Sequence, residues 1–164
     1  MKRSRFAPLT ALPKGALGIV KEIARHVLRR PVVGIAAAAR TSDGRWLLIR
    51  RADTGTWALP GGTLEWGETL RGALARELLE EAGVDRAEIQ RVVGIYSRPD
   101  RDPRFHAVTI VVACDVDAPT RPPMNPLEIR EARLFAESDL PKDLAMGMRD
   151  MLDAALRGGG ATVE

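Results

Sequence analysis

Residues 59–84 read LPGGTLEWGETLRGALARELLEEAGV. Leu70, Ala73, Leu74 and Leu78 recur at three- and four-residue spacing, which predicts a helix over 69–82, and Gly83 stands where a helix ends. Glu77, Glu80 and Glu81 fall at i, i+3 and i+4, so their carboxylates share one side of that helix, at the border of the apolar stripe. Carboxyls with an ordinary pKa of about 4.3 are all ionised at neutral pH, and like charges at this spacing oppose helix formation. A divalent cation relieves that repulsion, and an all-oxygen donor set suits Mg²⁺ or Mn²⁺. The pattern alone leaves a second reading open, a solvated acidic face answered by salt bridges. Pro60-Gly61-Gly62, just upstream, favours the first, because a tight bend without side chains lets a backbone carbonyl approach a metal.

Upstream, two apolar runs, VVGIAAAAR and RWLLIRR, flank a turn carrying Asp43-Gly44 and predict a β-hairpin. Downstream, segments 89–97 and 106–116 are rich in Val and Ile and read as strands. Four prolines make 118–127 a loop, Arg133 to Phe135 reads as a short strand, and Leu140 to Leu156 as a closing helix. Strands on both sides of a central helix predict an α/β fold with a helix-covered mixed sheet. Residues 1–13 read as a loose arm, 14–30 as an amphipathic helix ended by Pro31, and 158–164 as a flexible, frayed tail. The domain expectation is thus a basic arm and helix over 1–30, a catalytic body over 31–157, and the tail.

The chain has 164 residues, 25 Lys or Arg, 22 Asp or Glu, and a formal charge of +3. The sign of that total hides a segregation: residues 1–30 hold eight Lys or Arg against one Glu, and the other 134 residues carry −4. This is no nucleic-acid footprint, and the 4% of aromatic residues offers few rings for base stacking. The single cysteine, Cys114, excludes an intrachain disulfide and a multi-cysteine zinc site; set in an apolar run, it reads as a buried, inert thiol. His26 and His106 are isolated and read as structural. No apolar run reaches the roughly 20 residues of a membrane span, and the N-terminus makes a poor signal peptide, so a cytoplasmic protein is expected.

The order Gly62-x5-Glu68-x7-Arg76-Glu77-Leu78-x-Glu80-Glu81-x-Gly83-Val84 resembles the Nudix box at each of its fixed positions, with seven identities and two hydrophobic positions in 23 residues. The resemblance extends over about 31–157. It implies an α/β/α sandwich around a mixed sheet, here with an extra N-terminal helix, and Mg²⁺-dependent hydrolysis of a nucleoside diphosphate linked to another moiety. It further implies that Glu77 and Glu81 are the main metal ligands, with Glu80 acting directly or through water and a carbonyl of Gly61 or Gly62 completing the shell. Glu68 and Arg76 would brace the motif's loop against its helix, which Gly83 closes. The base that accepts the proton of water comes from the box or from a downstream loop, where Glu128 is the first candidate and Glu131 the second. Arg50 and Arg51 stand where similar enzymes contact substrate phosphates; strand alternation turns only one inward, and Arg51 is preferred.

Residues 95–106, IYSRPDRDPRFH, are similar to a segment of Nudix proteins assigned to ADP-ribose and nucleotide sugars, which makes Arg98, Arg101 and Arg104 candidate phosphate or ribose contacts; the other reading is an exposed Pro- and Arg-rich loop whose Asp100 and Asp102 pair with those arginines. WALPGGTLEWGE is similar to Nudix enzymes that clean nucleoside triphosphate pools, and this is the alternative substrate class. Trp57, Trp66 and Tyr96 are candidates to stack on a nucleobase. A non-catalytic nucleotide-sensing domain is a third reading, opposed by the intact set of box carboxylates. The expected partners are the nucleotide substrate and a second copy of the chain, with the N-terminal helix at a homodimer interface. No stable nucleic-acid partner is expected.

Overall fold

The computed structural model describes residues 18–24 and 30–164. The chain divides into a first unit, Met1–Arg30, and a second, Pro31–Glu164. In the first unit residues 18–24 are helical. The arm expected over 1–13, most of the helix expected over 14–30, and His26 lie outside the described residues.

The second unit runs β1 (Val32–Thr41), β2 (Trp46–Arg51), β3 (Trp57–Ala58), β4 (Gly61–Thr63), α1 (Leu70–Ala82), β5 (Ala87–Tyr96), β6 (Ala107–Val116), β7 (Ile129–Phe135), α2 (Met148–Arg157) and β8 (Thr162–Val163). The sheet order is β3-β2-β1-β6-β5-β8, with β4 also paired to β1 and β7 to β2. The β1–β6 and β5–β8 pairs are parallel and the others antiparallel, so the sheet is mixed. Period-two alternation sorts the side chains between two cores. Ile35, Ala37 and Ala39 of β1 join Leu47 and Ile49 of β2 against Leu74 and Leu78 of α1. Ala36, Ala38 and Leu48 turn the other way, against Met151, Leu152 and Ala155 of α2. One helix on each face of a mixed sheet is the expected α/β/α sandwich.

The turn between β1 and β2 uses Gly44 at φ 88°, with its N–H donated to the Thr41 carbonyl at 2.8 Å. The hairpin then splays. β1 and β2 pair only at Arg40–Trp46, and the rest of that edge of β1 takes β4 through Gly34–Thr63, Ile35–Gly62 and Ala36–Gly61. That divergence brings the glycine pair beside α1.

Three expectations are corrected. The helix expected from Leu140 begins at Met148, because Pro141 and the left-handed pair Met146 (φ 55°) and Gly147 (φ 65°) break the preceding turns. The strand expected at 133–135 runs from Ile129, paired along β2. The tail over 158–164 is not frayed at its end: β8 lies parallel to β5, and the Glu164 N–H donates to the Ile95 carbonyl at 3.0 Å. An open sheet edge offers unpaired backbone groups, and Gly94 permits the close approach, since a Cβ there would meet the Thr162 carbonyl oxygen at 2.7 Å. Cys114 is buried, and burial pushes its thiol up to about 12. No helix among the described residues is long and apolar enough to cross a membrane.

Candidate active site

Helix α1 starts where the Thr69 Oγ1 accepts the Gly72 N–H at 3.1 Å. It ends at Gly83, φ 64°, whose N–H donates to the Leu79 carbonyl, while the Val84 N–H donates to that of Leu78. Glu77 and Glu81 sit on the buried face among Ala73, Leu74, Leu78 and Ala82. Glu80 stands one step round the helix, with its side chain 46% exposed.

Beside this face runs β4. The Leu64 N–H donates to Val33 and the Ala37 N–H to Pro60, at 2.9 and 2.8 Å. Antiparallel alternation then makes Ile35–Gly62 a hydrogen-bonded pair and Ala36–Gly61 an open one. The Gly62 carbonyl is therefore turned into the ladder, whereas the polar groups of Gly61 point away from β1. In agreement, the Gly61 N–H donates to Glu81 Oε2 at 2.8 Å. Of the two glycines proposed from sequence as carbonyl donors, Gly61 has the free orientation. Gly61 must lack a side chain, because a Cβ there would overlap the Ile35 backbone carbonyl, whereas a Cβ on Gly62 would push aside the Glu77 carboxylate.

Arg76 joins the loop to the helix. Its Nε and Nη2 donate to the two oxygens of Glu68 at 2.9 and 3.0 Å, and Nη2 also reaches the Thr63 carbonyl at 3.3 Å. The Arg76 guanidinium, helped by the Glu65 N–H, lowers the Glu68 carboxyl to about 2. The same guanidinium donates from Nη1 to Glu77 Oε1 at 2.9 Å and to Glu80 Oε2 at 3.4 Å. Arg76 thus neutralises part of the acidic cluster as well as bracing the motif.

Burial raises Glu77, against the pull of Arg76 and with the negative charges of Glu80 and Glu128 adding to the rise. Glu81 is raised to about 8 by burial, opposed by the Gly61 N–H and reinforced by Glu77 and Glu128. Among the described residues no three His, Cys, Asp or Glu side chains form a ready-made cluster for a metal ion. The hydrogen bonds explain the spacing: Arg76 draws Glu77 and Glu80 towards itself while Gly61 holds Glu81. Glu77 Oε2 and Glu81 Oε1 accept no hydrogen bond among the described residues. With the outward Gly61 carbonyl they form an all-oxygen donor set of excess negative charge, which fits Mg²⁺ or Mn²⁺.

Glu77, Glu81 and Gly61 open onto a cleft of about 310 Å³, whose lining also includes Arg51, Arg104, Glu128 and Asp102. Glu128 shares a second recess, about 280 Å³, with Glu77, Glu80 and Glu81. A cavity of about 680 Å³, bounded by Arg40, Asp43, Arg86 and Asp115 at the far end of β1, includes none of these carboxylates.

The structure therefore brings together Glu77, Glu80, Glu81, Glu128, Arg51 and Arg104 from residues far apart in sequence. Arg51 is paired with Asp53 at 2.7 Å. Three sequence candidates are corrected. Arg50 turns to the opposite face, donating to the Gly55 carbonyl and to Glu131, and lies over Trp57. Glu131 in turn is held by Arg50 and Arg133 and does not line the cleft. The Arg101 side chain is 8% exposed, and its guanidinium is taken up by Asp150, Glu164 and the Gly147 carbonyl. The aromatic candidates also fall elsewhere: Trp57 packs on Phe135, Tyr96 is buried, and Trp66 stands fully exposed. The ring that lines the cleft is Phe105. His106 is tied to the Ser97 carbonyl at 2.8 Å. Asp102, on the cleft wall, pairs with Arg104 at 2.7 Å, and Asp100 lies 3.6 Å from Arg98, the pairing that the sequence offered as the second reading of this loop. Met146, also on the cleft wall, escaped the sequence reading, since no local signal marks it.

A family model for the Nudix domain matches residues 28–155. Over 103 residues the chain is 40% identical to an ADP-ribose pyrophosphatase of Methanocaldococcus jannaschii, covering 61% of this chain and 59% of that protein. A MutT-like protein of Streptomyces ambofaciens is 48% identical over 69 residues, 42% of this chain and 44% of that one. The chain's matches thus span about half the length of these curated relatives. Among solved structures, a MutT Nudix hydrolase from Burkholderia pseudomallei aligns with TM-score 0.63 at 30% identity, covering 77% of this chain and 98% of that one. An ADP-ribose pyrophosphatase from Streptococcus suis aligns with TM-score 0.64 at 28% identity, covering 82% and 98%. The box that the sequence displays, the sandwich that carries it and the extent of the family match agree, and the chain belongs to the Nudix family.

Proposed function

We propose that the chain hydrolyses the pyrophosphate linkage of a nucleoside diphosphate joined to another moiety, with ADP-ribose or a nucleotide sugar as substrate and Mg²⁺ as cofactor. The observation that carries this reading is a cleft lined by both carboxylates, Glu77, Glu81 and Glu128, and guanidiniums, Arg51 and Arg104. A pyrophosphate needs both: cationic groups for its own charge, and carboxylates to hold a cation that shields the rest. Glu77, Glu81 and the Gly61 carbonyl are the proposed cation ligands, with Glu80 at the margin. A bound divalent cation supplies neutralisation of phosphate charge and acidifies water. Glu128 is the proposed base that takes the proton from the attacking water, and Arg51 and Arg104 orient the two phosphates for in-line displacement.

The ADP-ribose preference draws support from the Methanocaldococcus relative and from residues 95–106, which supply Arg104 and Phe105 to the cleft. A nucleoside triphosphate pyrophosphohydrolase is the second reading, favoured by the MutT-like relatives. Assaying ADP-ribose, nucleotide sugars, dinucleoside polyphosphates and nucleoside triphosphates with Mg²⁺ separates them by product. A nucleoside monophosphate plus a sugar phosphate supports the first reading; a monophosphate plus pyrophosphate supports the second. No turnover on any pyrophosphate linkage rejects both. The apolar residues Ile19, Val20 and Ile23, all exposed on the helical stretch 18–24, support a homodimer with this helix at its interface; sedimentation showing the same oligomer after removal of 1–30 would exclude that role.

A further inference from the structure

The segment 97–106, from which Asp102, Arg104 and Phe105 line the cleft, is held from behind by Glu164. Glu164 Oε2 accepts the N–H groups of Ser97 and Arg98 at 3.0 and 3.1 Å and Arg101 Nε at 2.9 Å. Its Oε1 lies 2.6 Å from Arg101 Nη2 and 3.2 Å from Arg98 Nε. The β8–β5 pairing and the Glu164 N–H bond to Ile95 fix the backbone from which this carboxylate projects.

Arg101 completes a knot. Its Nη1 and Nη2 donate to Asp150 at 3.1 and 2.6 Å, Nη1 donates to the Gly147 carbonyl at 3.1 Å, and its guanidinium lies 4.9 Å from the centre of the Tyr96 ring. One nearly buried cation thus ties together the tail, the start of α2 and the loop. Without it Asp150 would lose both of its guanidinium bonds and Glu164 would keep only Arg98 as a guanidinium partner.

On the cleft side of the knot the next residue, Asp102, accepts the backbone N–H, Nε and Nη2 of Arg104 at 2.9, 2.9 and 2.7 Å. Met146, next to the Gly147 held by Arg101, places its Sδ 3.7 Å from Arg104 Nη2. Both anchors of Arg104 are therefore one residue away from a group that Arg101 fixes.

We propose that Glu164 is a positioning residue: through Arg101 it holds residues 97–106 so that Arg104 presents its guanidinium to the substrate's phosphates, and so it sets substrate affinity without touching substrate. The inference rests on the reading of the cleft as a pyrophosphohydrolase site. Charge-assisted, bidentate bonds suit the task, because they restrict geometry as well as attract.

The test compares Glu164→Ala, Arg104→Ala and the double variant of the full chain, with ADP-ribose and Mg²⁺, alongside amide hydrogen exchange over 97–106. The expected result for Glu164→Ala is a KM raised about tenfold with kcat within about twofold, since preorganisation is lost while the chemistry is not. Exchange over 97–106 should quicken in the same variant, a readout that needs no turnover. In the Arg104→Ala background the Glu164→Ala change should add little further rise in KM, because the two act through one contact. A role in stability alone would lower the melting temperature and the active fraction while leaving KM unchanged. Unaltered exchange, a KM within twofold of the parent, or effects that multiply in the double variant would each overturn the proposal. A parent protein without turnover on any pyrophosphate linkage would instead reject the reading of the site, a separate result.

Discussion

Glu81→Gln separates the cost of a buried charge from the use to which that charge is put. The Glu81 carboxyl stands at about 8 in the folded chain against an ordinary 4.5, chiefly because of burial. Below pH 4.5 it is protonated in both folded and unfolded chains and imposes no penalty. Between 4.5 and 8 the unfolded chain releases the proton and the folded chain retains it, so stability falls as pH rises; above 8 the loss is complete. The difference amounts to about 3 kcal/mol at pH 7 relative to pH 4, an order-of-magnitude figure from the linkage relation. Glutamine keeps an oxygen to accept the Gly61 N–H and cannot ionise. In EDTA the variant should match the parent near pH 4.5 and exceed it near pH 7, by about 5–10 °C in melting temperature for a domain of this size. With Mg²⁺ the order should reverse. The parent gains stability because the cation binds only the folded form, while the variant gains little and loses hydrolysis. Thermal melts across pH, with and without Mg²⁺, plus a turnover assay, decide the matter. A variant no more stable than the parent in EDTA at pH 7, or one with undiminished Mg²⁺-dependent turnover, would refute the reasoning.

Gly62→Ala should reduce hydrolysis by displacing the Glu77 carboxylate, while costing under about 1 kcal/mol in denaturant melts because the end of a flexible side chain can move aside; normal activity would contradict the fit. Glu128→Gln should lower kcat by about 10²–10⁴ with little change in KM if it is the base, and a loss smaller than tenfold would move that role into the box. Arg51→Ala should raise KM while Arg50→Ala leaves it unchanged, since only Arg51 lines the cleft; equal effects in steady-state kinetics would show that the strand is read the wrong way round.

The helix of the box was legible in sequence because its signals are local: apolar residues at helical spacing, a glycine at the end, and three glutamates whose mutual positions follow from 3.6 residues per turn. The apolar runs on either side of Asp43-Gly44 likewise marked β1 and β2. Arg50 and Arg51 show where such reasoning stops. Alternation says that the two point to opposite faces, but only the position of β4 and α1 makes one face the cleft. Arg101 makes the same point more sharply, as a surface-type residue in a Pro-rich loop that long-range packing turns into a nearly buried tie.

By itself the sequence determined the α/β layering, the motif helix and the carboxylates that face one way from it, since these depend on contacts within a few residues. Only the tertiary structure decided which glycine carbonyl is free, that Glu128 joins Glu77 and Glu81, that Arg104 rather than Arg101 meets the cleft, and that the tail is a strand and not a loose end. Each of those outcomes pairs groups dozens of residues apart, whose meeting is set by sheet register and by hydrogen bonds that burial makes obligatory.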